Sequence, residues 1–146
     1  MVFIALPALQ RSQRDAQRKQ DVSRLLDAVQ RYKSNNRGQL PSVLQTDAWV
    51  NLTNSSSDRF IKTYLAVDGL FRNPQGKTWH MHGVLYSTPG SELPPLNATT
   101  LSYQLREFYS AVGMKCDGSG LVAAQGPGHV AVRIFLESGG VYCESI

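Results

Sequence analysis

The sequence predicts an α+β fold in which one long N-terminal α-helix packs on a small antiparallel β-sheet of about four strands. Three observations predict it. Residues 8–36 contain no Gly or Pro, short β-type segments separated by turn residues follow Pro41, and the only two cysteines lie near the C-terminal end. A chain of 146 residues suffices for one domain with its own core. We therefore expect a projecting helix, residues 1–36, and a globular head, residues 37–146.

The second half of the predicted helix carries a single apolar stripe. Its members recur at i, i+3, i+4, i+7 and i+10, and they are Val22, Leu25, Leu26, Val29 and Tyr32. This period places them on one face, so we expect that face to pack on the sheet. Residues 34–38 tolerate left-handed backbone and predict the end of the helix, and Pro41 prevents it from resuming.

The first half of the helix is polar on every side. Ala16 is the only apolar residue between Gln10 and Asp21. A helix of this kind is usually exposed, and residues 8–36 would extend about 43 Å at 1.5 Å per residue. A head of this size cannot cover that length, so we expect the first part to project.

Positive charge is concentrated in this segment. Residues 1–40 carry eight basic and three acidic side chains, a net charge of +5, whereas the rest of the chain carries seven basic and eight acidic ones, a net charge of −1. We call five of the charged residues the neck: Arg11, Arg14, Asp15, Arg18 and Lys19. Ion pairs at helical spacing, such as Asp15 with Arg18, would stabilise it. Nucleic acid or an anionic membrane could bind such a surface, but acids among the bases and the lack of aromatic residues favour a solvated helix face.

The head is predicted to be rich in β-structure. We expect one helical turn at residues 59–66 and strands at residues 82–87, 100–106, 130–137 and 141–144. In the third strand Val130, Val132, Ile134 and Leu136 share one face. The sequence Ser138-Gly139-Gly140 predicts a hairpin turn to the last strand.

Cys116 and Cys143 fit no metal-binding spacing. Each lies beside turn residues, which favours a structural disulfide in an oxidising compartment. A disulfide between them would close a loop of about 28 residues and would stabilise the fold by roughly 3.5 kcal/mol. Two buried free thiols are the alternative.

No motif in the sequence predicts catalysis. There is no phosphate-binding loop and no Gly-x-Ser-x-Gly turn, so we predict a non-enzymatic protein without cofactor or metal. His80, His82 and His129 could together bind a metal, but scattered histidines without nearby acids are more often ordinary residues. Glycosylation triplets begin at Asn51, Asn54 and Asn97, and we do not expect modification at them. Six aromatic residues are expected to fill the space between sheet and helix, with exposure of some of them for adhesion as the alternative: Trp49, Tyr64, Phe71, Trp79, Tyr86 and Tyr109.

The first six residues are apolar and Pro7 follows them. A membrane-spanning helix needs about 20 apolar residues, and no basic region or small-residue cleavage pattern marks a signal peptide. We therefore interpret the segment as the end of a longer apolar helix.

Together, Ala5-Leu6-Pro7-Ala8-Leu9, the polar helix, Tyr32, Gly38 and Leu40-Pro41 resemble the N-terminal region of type IV pilins and pseudopilins. The cysteine pair with a terminal hairpin resembles their disulfide-bounded C-terminal region. Residues 10–26 are most similar to pilins of ultrasmall epibiotic bacteria. The family's cleavage site, with its Phe and Glu, is missing, so the resemblance implies an N-terminally truncated chain.

The resemblance implies a structural subunit of a surface filament used for attachment and twitching motility. It implies a helix bend at Pro7, a filament-core stub formed by Val2, Phe3, Ile4, Leu6 and Leu9, and a neck that makes ion pairs between subunits. The implied partners are copies of the same chain, the pilus assembly machinery, other pilins and a host-cell surface. The implied location is a cell-surface pilus outside the cell, with storage in the inner or cytoplasmic membrane through the missing apolar segment. A minor pilin or secretion-system pseudopilin, and a monomeric tethered adhesin or ligand-binding module, are the alternatives.

Overall fold

The computed structural model describes residues 6–52, 58–69 and 71–146. Two α-helices are present in these ranges, α1 (Leu6–Asn35) and α2 (Leu101–Gln104). Short helical segments cover Ser42–Gln45, Ile61–Leu65 and Ala66–Asp68. The strands are β1 (Val50–Asn51), β2 (His80–His82), β3 (Glu107–Val112), β4 (Met114–Asp117), β5 (Gly120–Ala123), β6 (Val130–Phe135) and β7 (Val141–Ser145).

The predicted long helix is confirmed, and its apolar stripe lies in the main core. Val22, Leu25, Leu26 and Val29 are fully buried, and Tyr32 packs on the same core with its edge against Phe60 and Tyr64. The helix ends where it was expected to end. Arg37 and Gly38 both have positive φ, and the Gly38 amide donates to the carbonyl of Lys33 at 2.8 Å, which satisfies a carbonyl of the last turn.

The sheet is mixed, so the prediction of a purely antiparallel sheet of about four strands was wrong. Five strands lie in the order β1-β2-β3-β6-β7, and β4 and β5 form a separate two-stranded hairpin. The pair β2 and β3 is parallel, whereas the other neighbours are antiparallel. The long connection from residue 83 to residue 106 allows this parallel pairing, since parallel strands need a crossover of a dozen or more residues.

Two of the four predicted strands were wrong. Residues 101–104 form α2, because the Gln104 amide donates to the carbonyl of Thr100 and its side chain bonds to Asn97 and Pro95. The strand predicted at residues 82–87 ends at His82. A Cβ atom at Gly83 would lie 2.4 Å from the carbonyl oxygen of Leu44, so the backbone there passes against the Ser42–Gln45 helix.

The C-terminal predictions are confirmed. β6 and β7 form an antiparallel hairpin closed by the Leu136 amide, which donates to the Gly140 carbonyl at 2.8 Å. Val130, Val132 and Ile134 point into the main core. The disulfide between Cys116 and Cys143 is present and ties β4 to β7. Residues 59–68 are helical, as expected for the turn predicted there.

The aromatic residues divide between the two faces of the sheet. Phe71 and Trp79 are buried in the main core beside α1, and Tyr64 packs at its margin. Tyr109 and Tyr86 belong to a second cluster with Leu105 and Phe135. Because Phe108 points to the main core, its neighbour Tyr109 points to the opposite face. Trp49 is exposed. The expectation that these side chains lie between sheet and helix was therefore wrong for Tyr86 and Tyr109, whereas the exposed Trp49 agrees with the alternative.

Candidate functional site: the exposed end of the N-terminal helix and its clasp

The first eight described residues of α1, residues 6–13, are exposed on every side. Leu6 is 46% exposed and Leu9 is 53% exposed. Residues three apart are neighbours on a helix surface, so these two side chains form one apolar spot on this exposed segment, which we call the rod. Val2, Phe3 and Ile4, the rest of the predicted stub, lie outside the described residues.

Pro7 lies in the first turn of the described helix. In a continued helix a residue at this position would donate its amide to the carbonyl of residue 3, which lies outside the described residues. A bend at Pro7 would depend on the residues before it. The predicted bend therefore concerns a segment that the structure does not describe.

From Arg14 onward the helix contacts the turn between β6 and β7. Arg14 donates two hydrogen bonds to the carboxylate of Glu137, at 2.8 and 2.6 Å, and Arg18 donates to the same carboxylate at 3.0 Å. Arg18 also donates to Asp15 at 3.1 Å, which is the i,i+3 pair expected from the sequence. We call Arg14, Asp15, Arg18 and Glu137 the helix clasp.

Asp15 holds the backbone of the same turn. Its carboxylate accepts the amide of Glu137 at 2.7 Å and the amide of Ser138 at 3.0 Å. Both bonds join a charged group to the backbone and are stronger than neutral hydrogen bonds. The turn is therefore attached to α1 by its main chain as well as by the Glu137 side chain.

The clasp corrects the expectation for the neck. Residues 10–21 were expected to project and not to pack within their own molecule, yet Arg18, Asp15 and Asp21 are buried. Arg14 and Arg18 form their ion pairs with Glu137 of the same chain. Arg11 and Lys19 are exposed. The projecting part is thus shorter than predicted, and it comprises residues 6–13 of the described chain.

The buried charges depend on each other. The hydrogen bond from Arg14 lowers the pKa of Glu137 to about 2, and Arg18 contributes in the same direction. The Arg18 side chain is fully buried, and its Nε and Nη2 have no hydrogen-bond partner in the described part of the chain. Removing a carboxylate from this group would leave a buried guanidinium poorly compensated.

A second set of polar contacts continues along the helix. Asp21 accepts the indole hydrogen of Trp79 at 2.9 Å and the Gln17 amide at 3.0 Å. Burial raises the pKa of Asp21 despite these bonds. Ser23 donates to Glu144 of β7 at 2.8 Å. Polar contacts therefore join the helix to the head on both sides of Val22, where the apolar stripe begins.

The three histidines do not form a metal site in the part of the chain that the structure describes, because no three His, Cys, Asp or Glu side chains there are grouped suitably. His80 and His82 lie on β2, and burial lowers the pKa of both. The Nδ1 atom of His129 lies 3.1 Å from the carbonyl oxygen of Ile146, at the C-terminal end.

Sequence reasoning missed the partnership of Asp15 and Glu137, which are more than a hundred residues apart. The local signal was the Asp15/Arg18 pair, which can lie on a packed face as well as on a solvated one. The predicted turn at Ser138-Gly139-Gly140 placed Glu137 at the end of a hairpin. Nothing in the pattern indicated that the turn would meet the helix.

No family model matches the chain, and neither a curated protein nor a solved structure matches it. The similarity to type IV pilins therefore remains a prediction from the residues. The observed architecture is an α+β fold with an N-terminal helix and a mixed sheet. Among the described residues, no helix combines the length and apolar character that a membrane span requires.

Proposed function

We propose that this chain is the structural subunit of a type IV pilus-like surface filament, and that the exposed end of α1 is its polymerisation element. The observation that carries the proposal is the contrast along one helix. The apolar stripe of α1 is buried in the head, whereas residues 6–13 are exposed on all sides and present Leu6 and Leu9. Burial of this apolar surface among copies of the same helix would favour assembly by about 25 cal/mol per Å².

The described surface has a groove in which α1 of another subunit would lie. A groove of about 410 Å³ lies between α1 and the turn after β6, lined by Ala8, Arg11, Ala16, Leu136 and Ser138, among others. We propose that α1 of a second copy lies against this side of the rod. Contacts between two different surfaces of identical subunits generate an open helical polymer when the rotation between subunits does not close a ring.

The clasp gives the neck a role different from the one first expected. Because Arg14, Asp15 and Arg18 bind the subunit's own hairpin turn, they fix the direction in which the rod leaves the head. A filament with constant rise and rotation needs this direction to be the same in every subunit. Arg11 and Lys19 remain exposed and are the neck residues available for ion pairs between subunits.

In this proposal the protein is not an enzyme and acts outside the cell, in a filament used for attachment and twitching motility. Its partners are copies of itself, the assembly machinery and other pilins. The alternatives are a minor pilin or pseudopilin, which would occupy few positions in a filament, and a tethered monomeric adhesin, which would form none.

Complementation of a deletion strain tests the proposal. Cells lacking the gene should lose surface filaments in negative-stain micrographs, and the unchanged gene should restore them. Leu6→Arg should not restore them, while Leu85→Arg should, because Leu85 is also 46% exposed but lies on the head. Filaments assembled normally from the Leu6→Arg subunit would refute the role of the helix end. Filaments that persist after deletion would favour a minor pilin.

A further inference from the structure

The head carries an aromatic cleft that the filament proposal does not use. Trp49, His80, Tyr103 and Arg106 line a cleft of about 300 Å³. Trp49 is 53% exposed and Tyr103 is 57% exposed, the two large aromatic side chains most open to solvent in the described chain. Large exposed aromatic groups beside one another are typical of binding surfaces.

The fold places these four residues together at the β1 and β2 edge of the sheet. Met81 points into the main core, so His80 and His82 on either side of it point to the face turned away from α1. The Trp49 ring meets both histidine rings edge to face. The His80 amide donates to the Arg106 carbonyl at 2.8 Å. This hydrogen bond holds the residues that follow α2 against β2.

The cleft presents hydrogen-bond donors and positive charge. The Arg106 guanidinium lies 5.0 Å from the centre of the Tyr103 ring. A neighbouring hollow of about 470 Å³ shares these two residues and adds Gln75, Lys77 and Ser102. No acidic side chain lines either hollow.

The donors in the cleft are unpaired. Within the described chain, none of these lining side chains takes part in a hydrogen bond, and the Nε atom of Arg106 is shielded from solvent without a partner. The Nε atoms of Arg24 and Arg133 also lack a partner, but the terminal nitrogens of these two side chains donate to backbone carbonyls. The terminal nitrogens of Arg106 have no acceptor within the described chain, and a bound anion would supply one.

We propose that this cleft binds an acidic sugar residue of a glycan. The sugar ring would lie on Trp49 and Tyr103, whose ring faces attract partly positive C–H groups, and its carboxylate would lie between Arg106 and Lys77. The size suits one or two sugar rings. Residues 41–146 have seven basic and eight acidic side chains, so the head lacks the long basic track that a nucleic-acid strand requires. The site is independent of the filament proposal, because a single chain contains all of it.

Titration calorimetry on the disulfide-bonded full chain tests the ligand class. The acidic probes are trigalacturonic acid and sialyllactose, and their neutral counterparts are the methyl-esterified trimer and lactose. We expect binding of at least one acidic probe and binding of its neutral counterpart weaker by about tenfold or more, since a charge-assisted hydrogen bond is lost. Equal binding of the neutral counterpart, binding of neither acidic probe, or binding of a thymidine hexanucleotide in their place would overturn the proposal.

Matched variants locate the site. Trp49→Ala and Arg106→Gln should each raise the Kd of the acidic probe about tenfold, and Trp49→Phe should retain part of the affinity. The controls are Leu85→Ala, another exposed apolar residue, and Arg59→Gln, an exposed arginine outside the cleft. Both controls should bind as the unchanged protein does. Circular dichroism checks that each variant is folded, and wild-type affinity in folded Trp49→Ala and Arg106→Gln would refute the placement.

Discussion

Replacing Glu137 by Gln tests whether the clasp is an electrostatic device. The variant keeps the size of the side chain, but it removes the charge that Arg14 and Arg18 share and replaces one of the two accepting oxygens by an NH2 group. The pKa of Glu137 is lowered from 4.5 to about 2. This difference corresponds to about 3 kcal/mol at neutral pH, and we reduce it to about 2 kcal/mol because the Arg14 side chain is one-third exposed.

The pH dependence follows from the sign of the change. A carboxyl group with a lowered pKa in the folded state stabilises the fold fully above 4.5, and this stabilisation is lost as the pH falls toward 2. Glu137→Gln should therefore lower the free energy of unfolding by about 2 kcal/mol at pH 7 and by about 0.5 kcal/mol at pH 2.5. Burial raises the pKa of Asp21 and Glu107, which acts in the opposite direction. Asp21 and Glu107 are present in the unchanged protein and in the Glu137→Gln variant. Their contributions therefore cancel when the two free energies of unfolding are subtracted.

Urea unfolding followed by tryptophan fluorescence measures these energies, because Trp79 is fully buried. Glu92→Gln is the matched control, since Glu92 is exposed, and it should have no effect at either pH. A loss of stability that is the same at pH 7 and pH 2.5 would show that Glu137 acts through its second accepting oxygen and not through its charge. No loss at pH 7 would mean that the clasp does not hold the helix in solution.

Three further perturbations test other parts of the structure. Replacing both Cys116 and Cys143 by Ala should lower the melting temperature and remove about 3.5 kcal/mol of stability, because the disulfide closes a separation of 27 residues; an unchanged melting temperature would contradict this. Leu25→Ala should cost about 3 kcal/mol in urea unfolding, since the side chain is fully buried in the main core; a cost under about 1 kcal/mol would mean that the stripe is loosely packed. Leu6→Arg should leave the melting temperature of the isolated chain unchanged, because Leu6 is exposed; a clear decrease would show that the helix end packs on its own head.

The elements that the sequence predicted well have strong local signals. The stripe from Val22 to Val29 repeats with the helical period, and the hairpin after β6 combines alternating apolar residues with a Gly-Gly turn. In both cases local preference and tertiary packing favour the same structure. The disulfide was predictable because two cysteines allow only one intramolecular pairing.

The elements that were predicted wrongly depend on contacts between residues far apart in the sequence. Thr100–Arg106 contains aromatic and β-branched residues, but the side chain of Gln104 bonds to Asn97 and Pro95 and stabilises a turn of helix. The strand His80–His82 is short and forms in the parallel register to residues 107–109. A parallel partner leaves no turn signal in the sequence, whereas a hairpin does.

The prediction for the neck was wrong for a different reason. The absence of apolar residues correctly excludes an apolar contact, but it does not exclude a packed polar one. Arg18 can be buried because Asp15 and Glu137 both lie within hydrogen-bond distance of its guanidinium. The exposed helix segment and the head could thus be predicted separately, but the polar contact between them could not.

This polar junction specifies position more strictly than an apolar one would. An apolar stripe can shift by one turn and still bury its side chains, whereas a shift of one turn would move Arg18 about 5.4 Å along the axis and away from Glu137. The buried guanidinium would then lose a carboxylate, which costs several kcal/mol. Asp15 would also lose the two backbone amides of the hairpin turn. We infer that the clasp sets the register of α1 on the head while the apolar stripe supplies most of the stability, and that this division fixes the direction of the exposed helix end.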